Sequence, residues 1–301
     1  MSTRIFIGIL LVGLVAGCSA LEPKGTRSAP ENERFTHIKQ SARLANAAYQ
    51  DIVKIEKINA ESGYQLVKHE VVPGGDVQYF LSRHPVTQAQ LISVRGTANL
   101  ENVLVDVKVA MLTDERLGIR LHRGFSLAAN AIYEAVKPQL NKQAPVTLVG
   151  HSLGGAVASI LAINLDVDGY KIDGVTTFGQ PKFTNKEGTE KYKHIPMTRV
   201  VNEKDMVPLV PHFEATLSAL PSLYWHMGEE IVLFPGDYYS SLSAKESMAR
   251  GLTVLKASAA ERNIDAHKMA VYLARIDEKM AGAKSVPYSK RMDFIATANT
   301  P

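Results

Sequence analysis

Apolar and polar positions along the chain alternate with two periods. Across residues 32–49 apolar side chains recur at helical spacing (Phe35, Ile38, Ala42, Ala45, Ala48), which predicts an opening helix. Residues 64–72, 78–82 and 90–94 have the shorter rhythm of strands, and Pro73-Gly74-Gly75-Asp76 supplies a turn between the first two. Helical spacing returns over residues 124–136 and stops at Pro138. A short apolar strand at 145–149 is followed by an apolar helix at 155–165. Further strands are predicted at 175–178 and 198–201, separated by the segment 185–192, and another at 231–234. A late helix is predicted over 264–281, and the last twenty residues carry no clear pattern. Short apolar strands alternating with helices predict an α/β fold, with a mostly parallel central sheet and helices on both faces.

Composition changes this picture little. The chain has 301 residues, of which 46% are hydrophobic and 21% charged, as in an ordinary globular protein with a sizeable core. A formal net charge of +4 is spread along the chain without a basic run, so nucleic acid is not an expected partner. The one cysteine, Cys18, can form no internal disulfide and belongs to no zinc-ligand spacing. No metal and no organic cofactor is expected.

The N-terminus adds a second theme. Arg4 precedes an apolar run over residues 5–15, too short for a spanning helix and suited to a secretory leader. It ends in Leu14-Val15-Ala16-Gly17-Cys18, a string that resembles the bacterial lipobox. The resemblance implies a lipoprotein signal peptide over residues 1–17 and a lipidated Cys18. It also implies anchorage in the cell envelope, because two or more acyl chains hold a membrane stably. Ser19 in place of Asp favours the outer membrane if the source is Gram-negative. Residues 18–31 read as a flexible tether and 32–301 as a single catalytic domain.

Gly150-His151-Ser152-Leu153-Gly154 carries the candidate chemistry. A Gly-x-Ser-x-Gly string between a strand and a helix places the serine on a sharp turn at the top of an α/β-hydrolase sheet. Here the strand Val146-Thr147-Leu148-Val149 comes directly before it and an apolar helix directly after. A serine hydroxyl needs a base to take its proton and an acid to orient that base. In this fold the order is serine, acid, histidine. That order leaves His194, His212, His226 and His267 as candidate bases.

These segments together resemble the class 3, or fungal lipase-like, family. The matching strings are Ser93-Val94-Arg95-Gly96-Thr97, Asn102-Val103-Leu104-Val105-Asp106, Leu121-His122-Arg123-Gly124-Phe125, the serine motif, Phe178-Gly179-Gln180-Pro181, residues 199–208, and His226-Met227-Gly228-Glu229-Glu230. Val103 stands where the family has tryptophan. Asp265-Ala266-His267 has one residue more than the family's Asp-His, and Tyr272 is slightly displaced. The resemblance spans roughly residues 40–275.

It implies an acyl-transfer enzyme in which Ser152 is the nucleophile, Asp205 the acid and His267 the base. Glu203 is the reserve acid, His226 the rival base and His212 the third choice. Leu153 N–H is one expected oxyanion donor, as the residue after the nucleophile. Thr97 N–H is the other, on the resemblance. The implied substrates are acyl glycerolipids, for a lipase or phospholipase at a membrane surface. Short soluble esters, or a catalytically silent envelope lipoprotein, are the alternatives. In this family a lid would occupy residues 107–121, whose apolar run beside Asp114, Glu115 and Arg116 suits either a lid or a packed loop.

Overall fold

The computed structural model describes residues 29–72, 77–97, 111–211, 224–257 and 264–298. The opening apolar stripe forms α1 (Ala29–Ala47), followed by α2 (Ile52–Glu61), where Asp51 caps the helix by accepting the Lys54 N–H at 3.0 Å. Strands β1 (Gln65–Val71), β2 (Gln78–Arg83) and β3 (Gln90–Val94) come next, then a hairpin of β4 (Met111–Asp114) and β5 (Ile119–His122). The succession α3 (Arg123–Val136), β6 (Val146–His151), α4 (Leu153–Val167), β7 (Ile172–Phe178), α5 (Lys186–Lys191) and β8 (Met197–Asn202) builds the middle of the molecule. After it come β9 (Glu229–Leu233), β10 (Tyr238–Leu242), α6 (Ala244–Ala257), α7 (Met269–Met280), β11 (Lys284–Ser285) and α8 (Arg291–Ala298).

Among the described residues the main sheet runs β1-β2-β3-β6-β7-β8-β9-β10-β11. Its centre, from β3 through β6, β7 and β8 to β9, is parallel. The pairings β1/β2, β2/β3 and β9/β10 are antiparallel. Burial follows position in the sheet. The inner strand β3 is buried throughout, whereas the edge strand β1 has no buried position. A parallel centre is covered on both faces because its crossover helices must pack somewhere. On one face α3 and α4 bury Phe125, Ile132, Ile160 and Leu161 against Ile92 and Leu148. On the other, α1 and α7 bury Phe35, Ala45, Tyr272 and Ile276 against Leu91, Val149 and Val200. Helix α4 is buried at every position from Gly154 to Leu165, as expected of a helix that is apolar all round.

The pattern-based elements of the sheet and its covering helices are present within a few residues of the predicted bounds. Four differences have physical reasons. First, α1 opens at Ala29, inside the stretch expected to be tether. Glu31 in the first turn favours initiation there. Second, the late helix is broken. Residues Asp265–His267 form a separate 3-10 turn and Lys268 is extended before α7 begins. Third, α2, β10, α6 and α8 are present although the sequence pattern did not predict them.

Finally, the expected lid segment divides. Residues 107–110, like the expected turn at 73–76, lie outside the described residues. Residues 111–121 form the β4–β5 hairpin, which is a packed element. Leu117, Ile119 and Leu121 enter the core, Tyr192 donates to the Leu117 carbonyl at 2.8 Å and Arg116 donates to Asn164 at 2.6 Å. No helix of the described residues is long and apolar enough to cross a membrane.

Candidate active site

Ser152 stands between β6 and α4 with φ 59° and ψ −136°, a backbone conformation that a side-chain-bearing residue rarely adopts. Holding it costs about 1–3 kcal/mol, and the surroundings fix it. Ser152 N–H donates to the Phe178 carbonyl at 2.8 Å, and Gly155 N–H returns to the Ser152 carbonyl at 2.9 Å. The turn can be this tight because Gly154 lies directly on the end of β3. A Cβ there would lie 2.3 Å from the Val94 carbonyl oxygen. The Ser152 side chain is fully buried, and its Oγ has no hydrogen-bond partner among the described residues.

Asp205 follows β8 on the loop at the carboxyl end of the strand, where open α/β sheets gather their sites. It is fully buried, and three donors converge on it. His267 Nδ1–H and Tyr272 O–H reach Oδ2 at 2.7 and 2.6 Å, and Val207 N–H reaches Oδ1 at 2.9 Å. Burial alone would raise this carboxyl. The His267 charge and the three hydrogen bonds outweigh it and hold Asp205 below its ordinary value.

His267 is the last residue of the 3-10 turn and is fully buried. Its Nδ1 is taken by Asp205, and its Nε2, like Ser152 Oγ, has no partner among the described residues. A hydrogen bond of 2.7 Å joins the His267 carbonyl to His151 Nε2, so the histidine is tied to the residue immediately before Ser152. Gly179, at φ +59°, makes room for the acid–histidine pair. A Cβ there would stand 2.7 Å from His267 Cε1 and 2.8 Å from Asp205 Oδ2.

The extended residue Lys268, between the 3-10 turn and α7, absorbs the additional spacing seen in the sequence. Tyr272 therefore still reaches Asp205, and it also accepts from Asn202 N–H at 3.2 Å. Asn202 in turn donates to the Ala266 carbonyl at 2.7 Å, which fixes the 3-10 turn from below. Neither Asn202 nor this use of Tyr272 was read from the sequence. The displaced tyrosine was the available signal.

Thr97 lies in the loop just beyond β3, beside Gly96, whose added Cβ would be 2.8 Å from Ser152 Cβ. Leu153 opens α4, so its N–H has no intrahelical acceptor. The reserve acid Glu203 is engaged by Arg291 Nε at 2.7 Å. His226 is buried and donates through Nε2 to the Pro208 carbonyl at 2.7 Å. Burial and the nearby Arg199 and Lys182 charges hold its ring well below the ordinary histidine value. His194 pairs with Asp166 in an exposed bridge, and His122 caps α3 by accepting the Phe125 N–H. His212 and Cys18 lie outside the described residues.

Known proteins resemble this chain in sequence and fold. The family model described as Lipase (class 3) matches residues 91–215. A secreted mono- and diacylglycerol lipase of Gibberella zeae is 29% identical over 188 residues, covering 50% of this chain and 45% of the relative. A secreted alkaline triacylglycerol lipase of Penicillium cyclopium is 25% identical, covering 54% of this chain and 58% of the relative. The chain thus spans about half the length of the relatives it matches. In fold it is similar to a lipase from Rhizopus microsporus var. chinensis (TM-score 0.57, 22% identity, 71% of this chain and 80% of that one). A nonglycosylated lipase of Yarrowia lipolytica is similar to the same degree (TM-score 0.58, 22% identity, 69% and 81%). With a mostly parallel sheet covered on both faces and a serine elbow between β6 and α4, the chain has the α/β-hydrolase fold, and its residues 91–215 are similar to the class 3 lipases.

Proposed function

We propose that the chain is a serine carboxylic-ester hydrolase of the lipase type, with Ser152 as nucleophile, His267 as base and Asp205 as the acid that orients it. The observation that carries this reading is the pair of unpartnered buried atoms, Ser152 Oγ and His267 Nε2, beside an imidazole whose Nδ1 is held by an ionised carboxylate. Because Asp205 accepts from Nδ1–H, the neutral ring presents a bare Nε2, the tautomer a general base needs.

Ser152 attacks the ester carbonyl as His267 Nε2 takes its proton. The resulting imidazolium is stabilised by Asp205 and returns the proton to the departing alcohol. Water, activated by the same nitrogen, then releases the acid from the acyl-enzyme. The tetrahedral oxyanion is met by Leu153 N–H and Thr97 N–H, each such donor contributing about 3 kcal/mol.

The substrates proposed are acyl glycerolipids, on the strength of relatives named as mono- and diacylglycerol and triacylglycerol lipases. The test is hydrolysis of p-nitrophenyl butyrate and of emulsified tri-, di- and phosphoglycerides by wild type and by Ser152→Ala. Turnover of the glycerides that disappears in the variant supports the reading. Turnover confined to short soluble esters would replace it with the esterase alternative, and equal rates in both proteins would contradict the mechanism.

The string ending at Cys18 supports a further proposal, that the chain is a lipid-anchored envelope protein. Cys18→Ser should then abolish palmitate labelling and move the protein from membrane to soluble fractions.

A further inference from the structure

A partly buried hydrogen-bonded chain is not used by the mechanism. Gly96 N–H donates to the Tyr49 hydroxyl at 3.1 Å, Tyr49 lies 2.7 Å from His151 Nδ1, and His151 Nε2 lies 2.7 Å from the His267 carbonyl oxygen. Its two ends settle the direction of every bond. A backbone N–H can only donate and a carbonyl oxygen can only accept. His151 therefore carries its proton on Nε2, and its Nδ1 accepts from the Tyr49 O–H.

We infer that Tyr49 and His151 form a positioning relay, which holds the Gly96–Thr97 turn and the main chain of His267 in fixed relation across Ser152. This rests on the hydrolase reading above and adds two residues to it.

Geometry around the relay supports it. Gly96 is wedged between its members, since a Cβ there would lie 2.8 Å from both the His151 carbonyl oxygen and Ser152 Cβ and 2.9 Å from the Tyr49 hydroxyl. The His151 ring lies 4.6 Å from that of His267, centroid to centroid, and meets Tyr49 edge-on at 5.6 Å. Four segments are joined in this way: the turn after α1, the loop after β3, the end of β6, and the 3-10 turn that presents the base. The loop after β3 and the 3-10 turn carry the proposed oxyanion donor and the base, which must stay within a fraction of an ångström of their working positions for the transition state to be stabilised.

A protonated His151 would donate from both nitrogens and reverse the Tyr49 bond, so the relay requires a neutral ring. Burial and the neighbouring His267 charge push the His151 ring down to about 3, and burial raises the Tyr49 phenol above its ordinary value. Both groups thus keep one protonation state throughout the neutral range. The relay orients, and it transfers no proton.

Tyr49→Phe keeps the ring and removes the two hydroxyl bonds. Assayed on p-nitrophenyl butyrate well below the melting temperature, it should lose ten- to a hundredfold in kcat with KM within twofold of wild type. It should also lose affinity for an alkylboronic acid, which adds to Ser152 and occupies the oxyanion position, by a comparable factor. Wild-type kcat in a folded Tyr49→Phe overturns the relay, as does a loss confined to KM. A measurement on the unaltered protein gives a second test. The nitrogen-15 shifts of His151 should report the Nε2–H tautomer without titration from pH 5 to 9, and the other tautomer or a titrating ring would overturn the direction assigned. Absence of Ser152-dependent turnover in wild type would instead overturn the hydrolase reading, and the relay with it.

Discussion

Among the described residues, two buried clusters built around a carboxylate can be compared, and only one of them is equipped for chemistry. The first is Asp205 with His267 and Tyr272. The second is Glu230, bonded to Arg250 and lying 3.8 Å from Arg199, all three fully buried. In both, burial would raise the carboxyl, and the electrostatic and hydrogen-bonding influence of its neighbours reverses that and holds it below its ordinary value. The difference lies in the partner. A guanidinium does not give up its proton, so the Glu230 cluster is a fixed clamp. It joins β8 to β9 and α6 through Arg199 Nε to the Met227 carbonyl at 2.8 Å and Arg199 Nη2 to Ser247 at 3.0 Å. Even here burial lowers Arg199 to about 10, which leaves it charged at neutral pH. An imidazole can hold or release a proton near neutrality. In the Asp205 cluster the unpartnered Nε2 accompanies an unpartnered serine hydroxyl. Buried charge by itself therefore marks structure as readily as catalysis. An exchangeable proton beside a strained nucleophile is what separates the two.

Substitutions should break this contrast in a definite order. Ser152→Ala and His267→Ala should each lower kcat by roughly 10⁴- to 10⁶-fold, as for residues that act as a unit, with the melting temperature little changed in the serine variant. His226→Ala should reduce thermal stability and leave the pH dependence of kcat unaltered, because its bond to Pro208 is structural. Asp205→Asn should cost about 10⁴-fold in kcat, since the amide no longer holds the productive histidine tautomer. Tyr272→Phe removes one of three donors to Asp205 and should lower kcat by about tenfold, in line with about 1.5–3 kcal/mol for a hydrogen bond to a charged group.

Glu230→Gln should show the opposite profile, with kcat within about threefold of wild type and stability in urea reduced by about 3–5 kcal/mol, because two buried arginines lose their counter-charge. The pH dependence of stability follows from the same two carboxyls. Each is more acidic folded than unfolded, so each stabilises the fold fully above the ordinary carboxylate range of about 4. That contribution is lost as pH falls through the depressed folded values. Acid unfolding should accordingly steepen below about pH 4 in wild type and depend less on pH in Glu230→Gln.

The parallel centre of the sheet was legible in the sequence because its strands are short unbroken apolar runs and its helices have clear stripes. The serine elbow was legible for a different reason: the glycines at 150 and 154 are local requirements of the turn. Asp205 could be placed because it lies within a few residues of a readable strand. His267 was harder. It belongs to a 3-10 turn that hydrophobic periodicity merges into the following helix, and the periodicity does not mark the break at Lys268. Tyr49 and His151 were not legible as a pair. They are 102 positions apart and meet only because α1 packs beneath the carboxyl ends of β3 and β6. The Arg199–Glu230–Arg250 clamp was equally hidden, since isolated charges in two apolar strands and a helix do not announce their partners.

The central claim is that Ser152 is a nucleophile activated by its surroundings, and its most direct test is covalent labelling. Wild-type protein incubated with a fluorophosphonate probe at neutral pH, digested and mapped by mass spectrometry, should carry one adduct, on Ser152. Labelling should be abolished in Ser152→Ala and strongly slowed in His267→Ala. An unlabelled Ser152 in folded wild-type protein, or labelling that proceeds equally well without His267, would contradict the account.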